Sequence, residues 1–265
     1  MNGLLITGLV VLAALACGLT ATFVYLGRTT QYTVVQAVFW LVVKFVNLLL
    51  WRTTVEGLSA VPASGGGVII CNHRSSIDPF FLQIKLRRVV RWMVAREYCE
   101  RRALGWFLRV CEVIPVNRGG LDTAATKKAI RVAAEGSIIG MFPEGRINTT
   151  DALMRSVRPG AIVVALKARV PVIPCYTEGA PYGGRALSPL LMRAKVHVRV
   201  GEPIDLSAYF GREKDAALVR QLLIRCVKAI AQLAGQPEFE PEVAGRDWKS
   251  AEGESSAGDA PDGSA

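Results

Sequence analysis

His73 and Asp78 stand five residues apart in Asn72-His73-Arg74-Ser75-Ser76-Ile77-Asp78, a polar segment that directly follows the apolar run 67–71. A hydroxyl group is a poor nucleophile at neutral pH until a base takes its proton. Imidazole suits that task and is typically worth about 10²–10⁴-fold in rate. A carboxylate on the other ring nitrogen fixes the tautomer and stabilises the imidazolium. Spacing limits how the two can meet. On a regular helix five residues separate side chains by about 140° and roughly 7.5 Å along the axis. The pair therefore requires His73 in a loop and Asp78 at a helix start. Asp78-Pro79 fits, because Asp is favoured at the N-cap and Pro at the first helical position. The same dipeptide also suits a plain helix cap, and residue chemistry alone leaves both readings open. A serine hydrolase is disfavoured, since neither Ser75 nor Ser76 lies in a Gly-x-Ser-x-Gly turn.

Three further segments end in groups that suit an anion. Ile114-Pro115-Val116-Asn117-Arg118-Gly119-Gly120 reads as a strand running into a glycine turn, with Arg118 at its tip. Phe142-Pro143-Glu144-Gly145-Arg146 is a second strand exit carrying an arginine, and Val170-Pro171-Val172-Ile173-Pro174 is a buried strand bracketed by prolines. Guanidinium groups at strand exits suit bidentate phosphate recognition, and glycines let backbone N–H groups approach the same anion. Each segment alone carries little, because most arginines at loop tips face water.

In this order the four segments resemble the blocks of the glycerolipid acyltransferase family, which includes the 1-acylglycerol-3-phosphate O-acyltransferases. Members carry Asn-His-x4-Asp, an arginine-ended second block, Phe-Pro-Glu-Gly and Val-Pro-x-x-Pro. The resemblance covers residues 55–203, and its first and third blocks are the specific ones. It implies His73 as general base and Asp78 as its orienting partner. Arg118 and Arg146 would hold the acceptor phosphate, Glu144 and Gly145 would shape that pocket, and Asn72 would join the substrate-binding residues. The Val-Pro-Val-Ile-Pro strand would line the acyl-chain side. Such enzymes take their acyl group from a thioester of coenzyme A or acyl carrier protein, with no bound cofactor or metal.

The reaction implied is O-acylation of a lysophospholipid, most directly 1-acylglycerol-3-phosphate to phosphatidic acid. One departure bears on the acceptor. Many members read Phe-Pro-Glu-Gly-Thr-Arg, whereas here Arg146 follows Gly145 directly, which is closer to acyltransferase domains acting on lysophosphatidylethanolamine. Acylation of that lipid, or of a lyso-ornithine lipid, is the alternative within the class. A lipid esterase or thioesterase and a non-catalytic lipid-binding protein are the alternatives outside it.

These residues need a frame, and the elements around them alternate. Residues 67–71, 89–95, 113–116, 137–142, 170–176 and 195–200 read as strands. Residues 80–86, 97–110, 121–135, 159–168 and 206–233 read as helices. Alternation of this kind predicts an α/β domain over 53–235, with a mixed, partly parallel sheet covered by helices; the resemblance implies that this is the acyltransferase domain. Val196, Val198 and Val200 alternate with His197 and Arg199, so His197 is expected on the solvent side. Residues 236–265 carry eight acids against two bases amid Gly, Ser and Pro, and are expected to form a disordered acidic tail.

Hydrophobic residues make up 51% of the chain and mean hydropathy is +0.31, an excess concentrated at the N-terminus. Residues 3–26 carry no charge, more than the roughly 20 residues needed to cross a bilayer core. No Lys or Arg precedes them, unlike a cleavable signal peptide. Residues 1–27 are therefore expected to be a transmembrane anchor in the inner, cytoplasmic membrane. The basic residues behind it place the catalytic domain on the cytoplasmic side. Within 28–52, Thr33, Gln36, Lys44 and Asn47 share one narrow arc of a helix, leaving a broad apolar face. That segment is expected to be an amphipathic or second membrane helix.

Net charge is +10, with nine bases against three acids between Lys85 and Arg118. This charge suits an anionic partner: lipid head groups, a phosphorylated substrate or nucleic acid. The resemblance implies membrane lipids, a lysophospholipid acceptor and an acidic acyl carrier protein as those partners. Nucleic acid is not expected, because no recognised motif accompanies the basic run. Six cysteines lack metal-ligand spacing and only two histidines accompany them, which disfavours a zinc site and suggests a reducing compartment.

Overall fold

The computed structural model describes residues 2–117 and 122–244. Strand β2 (Gly67–Cys71) is buried along its whole length and lies between β5 (Ile138–Met141) and β6 (Val172–Glu178), parallel to both. A central parallel strand is covered on both faces, which is why it reads as an unbroken apolar run. Beyond β5 come β3 (Val90–Ala95) and β4 (Ile114–Val116), again parallel. Beyond β6 comes β7 (His197–Val200), antiparallel, and then β1 (Thr54–Glu56), parallel to β7. The order is β1-β7-β6-β2-β5-β3-β4, the mixed and mostly parallel sheet that alternation predicts.

Helices α6 (Thr123–Ala134), α7 (Gly160–Ala168) and α8 (Ala216–Leu233) cover one face, packing around Val68, Ile70, Ile139 and Val172. On the other face α3 (Asp78–Gln83) and Trp51 pack against Ile69, Ile138 and Ile173. The helix expected over 97–110 is broken at Glu100–Arg101 into α4 (Arg96–Cys99) and α5 (Arg102–Val110). The helix expected from residue 206 begins only at Ala216, where the Asp215 carboxylate accepts the Leu218 N–H at 3.0 Å. Val196, Val198 and Val200 are buried and His197 is exposed, as their alternation requires.

Residues 236–244, expected to belong to a disordered tail, are ordered on the domain. They run back over it, with the Val157 N–H donating to Glu242 O at 2.8 Å and the Ala244 N–H to Val157 O at 3.0 Å. Phe239 and Val243 pack on the core. Two apolar side chains among the glutamates are enough to hold this stretch. The rest of the acidic stretch lies outside the described residues.

Helix α1 (Asn2–Thr29) and helix α2 (Val34–Val46), which continues through a π turn to Trp51, are both long and apolar enough to cross a membrane. The polar arc of α2 is divided: Gln36 is buried and Asn47 half-buried, whereas Thr33 and Lys44 are exposed. Gln36 Nε2 donates to Val110 O at 2.8 Å and to Glu112 Oε1 at 3.0 Å. Asn47 Oδ1 accepts the Thr53 N–H at 3.0 Å, and Thr33 and Gln36 cap the helix reciprocally. Val34, Val38, Val42, Phe45 and Leu49 face outward and are exposed. Val43, Val46 and Leu50 pack on the core, so the α2 segment is apolar on both its inner and its outer side, unlike a helix lying on a water-soluble domain.

Candidate active site

Past β2 the chain is held by Asn72. Its Nδ2 donates to Thr177 O at 2.9 Å and its Oδ1 accepts the Thr177 N–H at 2.8 Å, prolonging the β2–β6 pairing by one residue. Asn72 is buried and both ends of its amide are occupied. These bonds tie the start of the loop to β6. His73 follows in the loop, its carbonyl accepting the Asn148 N–H at 2.7 Å. Asp78 Oδ2 lies 3.0 Å from His73 Nδ1 and also accepts the N–H groups of Arg74 at 2.7 Å and Ser75 at 2.8 Å. Ile77 occupies the N-cap of α3 without a side-chain bond, and Asp78 is the first helical residue. The carboxylate thus turns back into the loop and does not cap the helix. A carboxylate only accepts, so the neutral ring in this pair is assigned its proton on Nδ1, which leaves the Nε2 lone pair directed away from Asp78.

The ring rests on an aromatic shelf. His73 stacks on Phe142 with centroids 3.9 Å apart and planes 11° apart, and Phe142 stacks on Trp92 at 4.7 Å and 17°. Trp92 in β3 is the register partner of Gly140 in β5. A Cβ on Gly140 would lie 2.4 Å from Trp92 Cδ2, so only glycine lets the indole lie flat there. The face of an aromatic ring attracts a cation within about 6 Å. The shelf therefore orients the imidazole, and its ring faces can accommodate a positive charge.

Glu144 joins this loop to the next. Its Oε1 accepts the His73 N–H at 2.7 Å and its Oε2 the Arg155 N–H at 2.8 Å. Burial pushes its carboxyl up to about 7, against those two donors and the Arg74 guanidinium, which pull it down. Arg74 itself donates to the carbonyls of Thr150 at 2.5 Å and Ala152 at 2.7 Å. Gly145 turns the chain at φ +72°, and the Arg158 guanidinium lies over it, 3.3 Å from where a Cβ would stand. Arg146 is half-buried. Arg118 lies outside the described residues. Ser76 Oγ donates to Ala186 O at 2.6 Å and Ser75 is buried, which leaves neither hydroxyl placed as a nucleophile.

His73 opens on a cavity of about 1600 Å³, larger than the roughly 300–1,000 Å³ of ordinary small-molecule pockets. Phe142, Gly145 and Arg158 line it near the histidine, while α2, α3, α5 and β3 supply apolar walls. No residue of 170–174 is among its described lining residues, and Val172–Pro174 lie in a strand interior to the sheet. Among the described residues, no group of three or more His, Cys, Asp or Glu side chains is placed to hold a metal ion.

Residues 52–178 match the family model described as Acyltransferase. That segment is an acyltransferase-family domain. The chain is 28% identical over 166 residues to the 1-acyl-sn-glycerol-3-phosphate acyltransferase of Bacillus subtilis, covering 61% of this chain and 80% of that one. It is 30% identical over 144 residues to the enzyme of the same name from Streptococcus pneumoniae, covering 53% of this chain and 50% of that one. The fold is similar to the crystal structure of the 1-acyl-sn-glycerophosphate acyltransferase of Thermotoga maritima. That match has a TM-score of 0.55 at 21% identity, over 73% of this chain and 80% of that one.

Of the site residues expected in this acyltransferase, the structure brings together His73, Asp78, Glu144 and Gly145. Arg146 is not among the described lining residues, whereas Arg158 is. Sequence reasoning missed Arg158, the Phe142–Trp92 shelf, and the loop contacts of Arg74, Asn148 and Arg155. A basic residue before Pro159-Gly160 at a helix start was the legible signal for Arg158. The shelf had none, because it depends on pairing between β3 and β5.

Proposed function

We propose that this acyltransferase is membrane-bound and transfers a fatty acyl group from a coenzyme A or acyl-carrier-protein thioester to the free hydroxyl of 1-acylglycerol-3-phosphate, forming phosphatidic acid. One observation carries the reading: His73 has Nδ1 held by the Asp78 carboxylate, and its ring lines a large apolar cavity. The activities named for the two bacterial relatives support the acceptor. The acceptor hydroxyl gives its proton to Nε2 as its oxygen attacks the thioester carbonyl carbon. The C–S bond then breaks, the thiolate regains that proton from Nε2, and the ester remains on the glycerol. Arg146 and Arg118 hold the acceptor phosphate, and Arg158 adds a guanidinium from the cavity wall. α1 and the outward face of α2 hold the protein on the cytoplasmic membrane, with the domain on the cytoplasmic side.

The test is an acyl-transfer assay on the full chain, crossing lysophosphatidic acid, lysophosphatidylethanolamine and a lyso-ornithine lipid with coenzyme A and carrier-protein donors. His73→Ala is expected to cost about 10²–10⁴-fold while the protein folds and stays with membranes. Near-normal turnover in that variant sinks the base assignment. Preference for another lysolipid moves the acceptor, and release of fatty acid without an acceptor points to hydrolysis.

A further inference from the structure

Two separate elements of the catalytic domain repeat one pattern at the rim of the cavity. On α5, Trp106 is 52% exposed, with exposed Arg102 and Arg109 four residues before and three after it. Those offsets put all three on one face of the helix. In the turn around Ser188–Leu191, Leu187 and Leu191 are 60% and 86% exposed, between exposed Arg185 and Arg193. Trp106 and both leucines line the same cavity as α2.

Each element also touches the α2 segment. Trp106 packs edge-on against Phe39 of α2 with centroids 5.5 Å apart. The Leu187–Leu191 turn is tied to the end of that segment by the Trp51 Nε1–H donating to Pro189 O at 3.2 Å. Both elements are thus held beside the α2 segment, whose outward side chains Val34, Val38, Val42, Phe45 and Leu49 are exposed and apolar. Large apolar side chains left in water beside arginines are costly on a soluble surface. An anionic bilayer removes that cost, since tryptophan and leucine enter the acyl boundary while arginine reaches the phosphates.

We infer that α5 and the Leu187–Leu191 turn are bilayer-docking elements of the catalytic domain, flanking α2 so that the cavity opens into an anionic lipid surface. This rests on the membrane-bound reading above and extends it from the N-terminal helices to the domain itself. The occupant is the bilayer, and the arginines make its preferred head groups anionic.

The full chain is reconstituted in phosphatidylcholine vesicles with and without phosphatidylglycerol, and tryptophan quenching by brominated acyl chains is recorded. W106F should lose bromolipid-dependent quenching relative to the wild type, and L191W in that background should regain it. Phosphatidylglycerol should deepen the wild-type quenching, and R102E/R109E should abolish that increase. Equal quenching of wild type and W106F, or no gain from L191W, overturns the inference. Vesicle flotation separates the two readings. A chain that floats without quenching at Trp106 refutes domain docking alone, and a chain that does not float refutes the membrane-bound reading as well.

Discussion

Glu144 grips His73 by its backbone and leaves the ring free: Oε1 accepts the His73 N–H at 2.7 Å while Oε2 accepts the Arg155 N–H at 2.8 Å. The Phe-Pro-Glu-Gly block thus serves the histidine loop as much as any substrate. Two loops that leave neighbouring strands are joined through one buried carboxylate.

Glu144→Gln removes one of the two acceptor oxygens and leaves a buried N–H unpaired. A loss of about 1–3 kcal/mol is expected, measured by urea unfolding in micelles. The pH dependence should change too. Burial lifts the Glu144 carboxyl from 4.5 to about 7, so the folded state keeps a proton that the unfolded chain has released. Stability should fall as pH rises between those values and level off above them. That slope should be shallower in the variant; an unchanged slope refutes the assignment to Glu144.

Asp78→Asn keeps the shape of the side chain but no longer dictates which nitrogen of His73 carries the proton. A fall of about 10⁴-fold in kcat is expected, as for the corresponding change in a hydrolase triad. Circular dichroism should show a folded protein. A loss below tenfold would make Asp78 a loop fastener only.

Gly140→Ala tests the shelf from a distance. The added methyl would meet Trp92 Cδ2 at 2.4 Å and tilt the stack under His73. Overpacking of this kind costs about 1–3 kcal/mol, and kcat should fall more than KM rises. Thermal unfolding with steady-state kinetics checks both, and unchanged kcat would detach the shelf from catalysis.

Gln36→Leu leaves the apolar character of α2 intact while removing the amide that bonds Val110 O and Glu112 Oε1. Losing these two half-buried bonds should cost about 0.5–1.5 kcal/mol each, read as a lower unfolding midpoint in micelles. A variant as stable as the wild type would show that aromatic packing alone holds α2 to the domain.

Much of this frame was legible because local rules decide it. The unbroken apolar run of β2 marks a strand covered on both faces, and Asp78-Pro79 marks a helix start. Alternation at Val196, Val198 and Val200 assigned His197 to solvent. Errors came where a local signal was outweighed by packing. Helix pattern continued across Glu100–Arg101, yet the chain turns there to lay α5 against α2. Phe239 and Val243 anchor a stretch whose composition otherwise reads as tail.

From the sequence alone came the chemistry of the pair, a base and a carboxylate, and the condition under which they meet: His73 in a loop, Asp78 opening a helix. Tertiary structure decided what Asp78 does there, because the Arg74 and Ser75 N–H groups compete for the carboxylate that a helix cap would have used. It also decided that Asn72 and Glu144 hold the loop and that an aromatic shelf supports the ring. Those roles arise between strands distant in sequence, where burial and register choose partners that spacing along the chain does not encode.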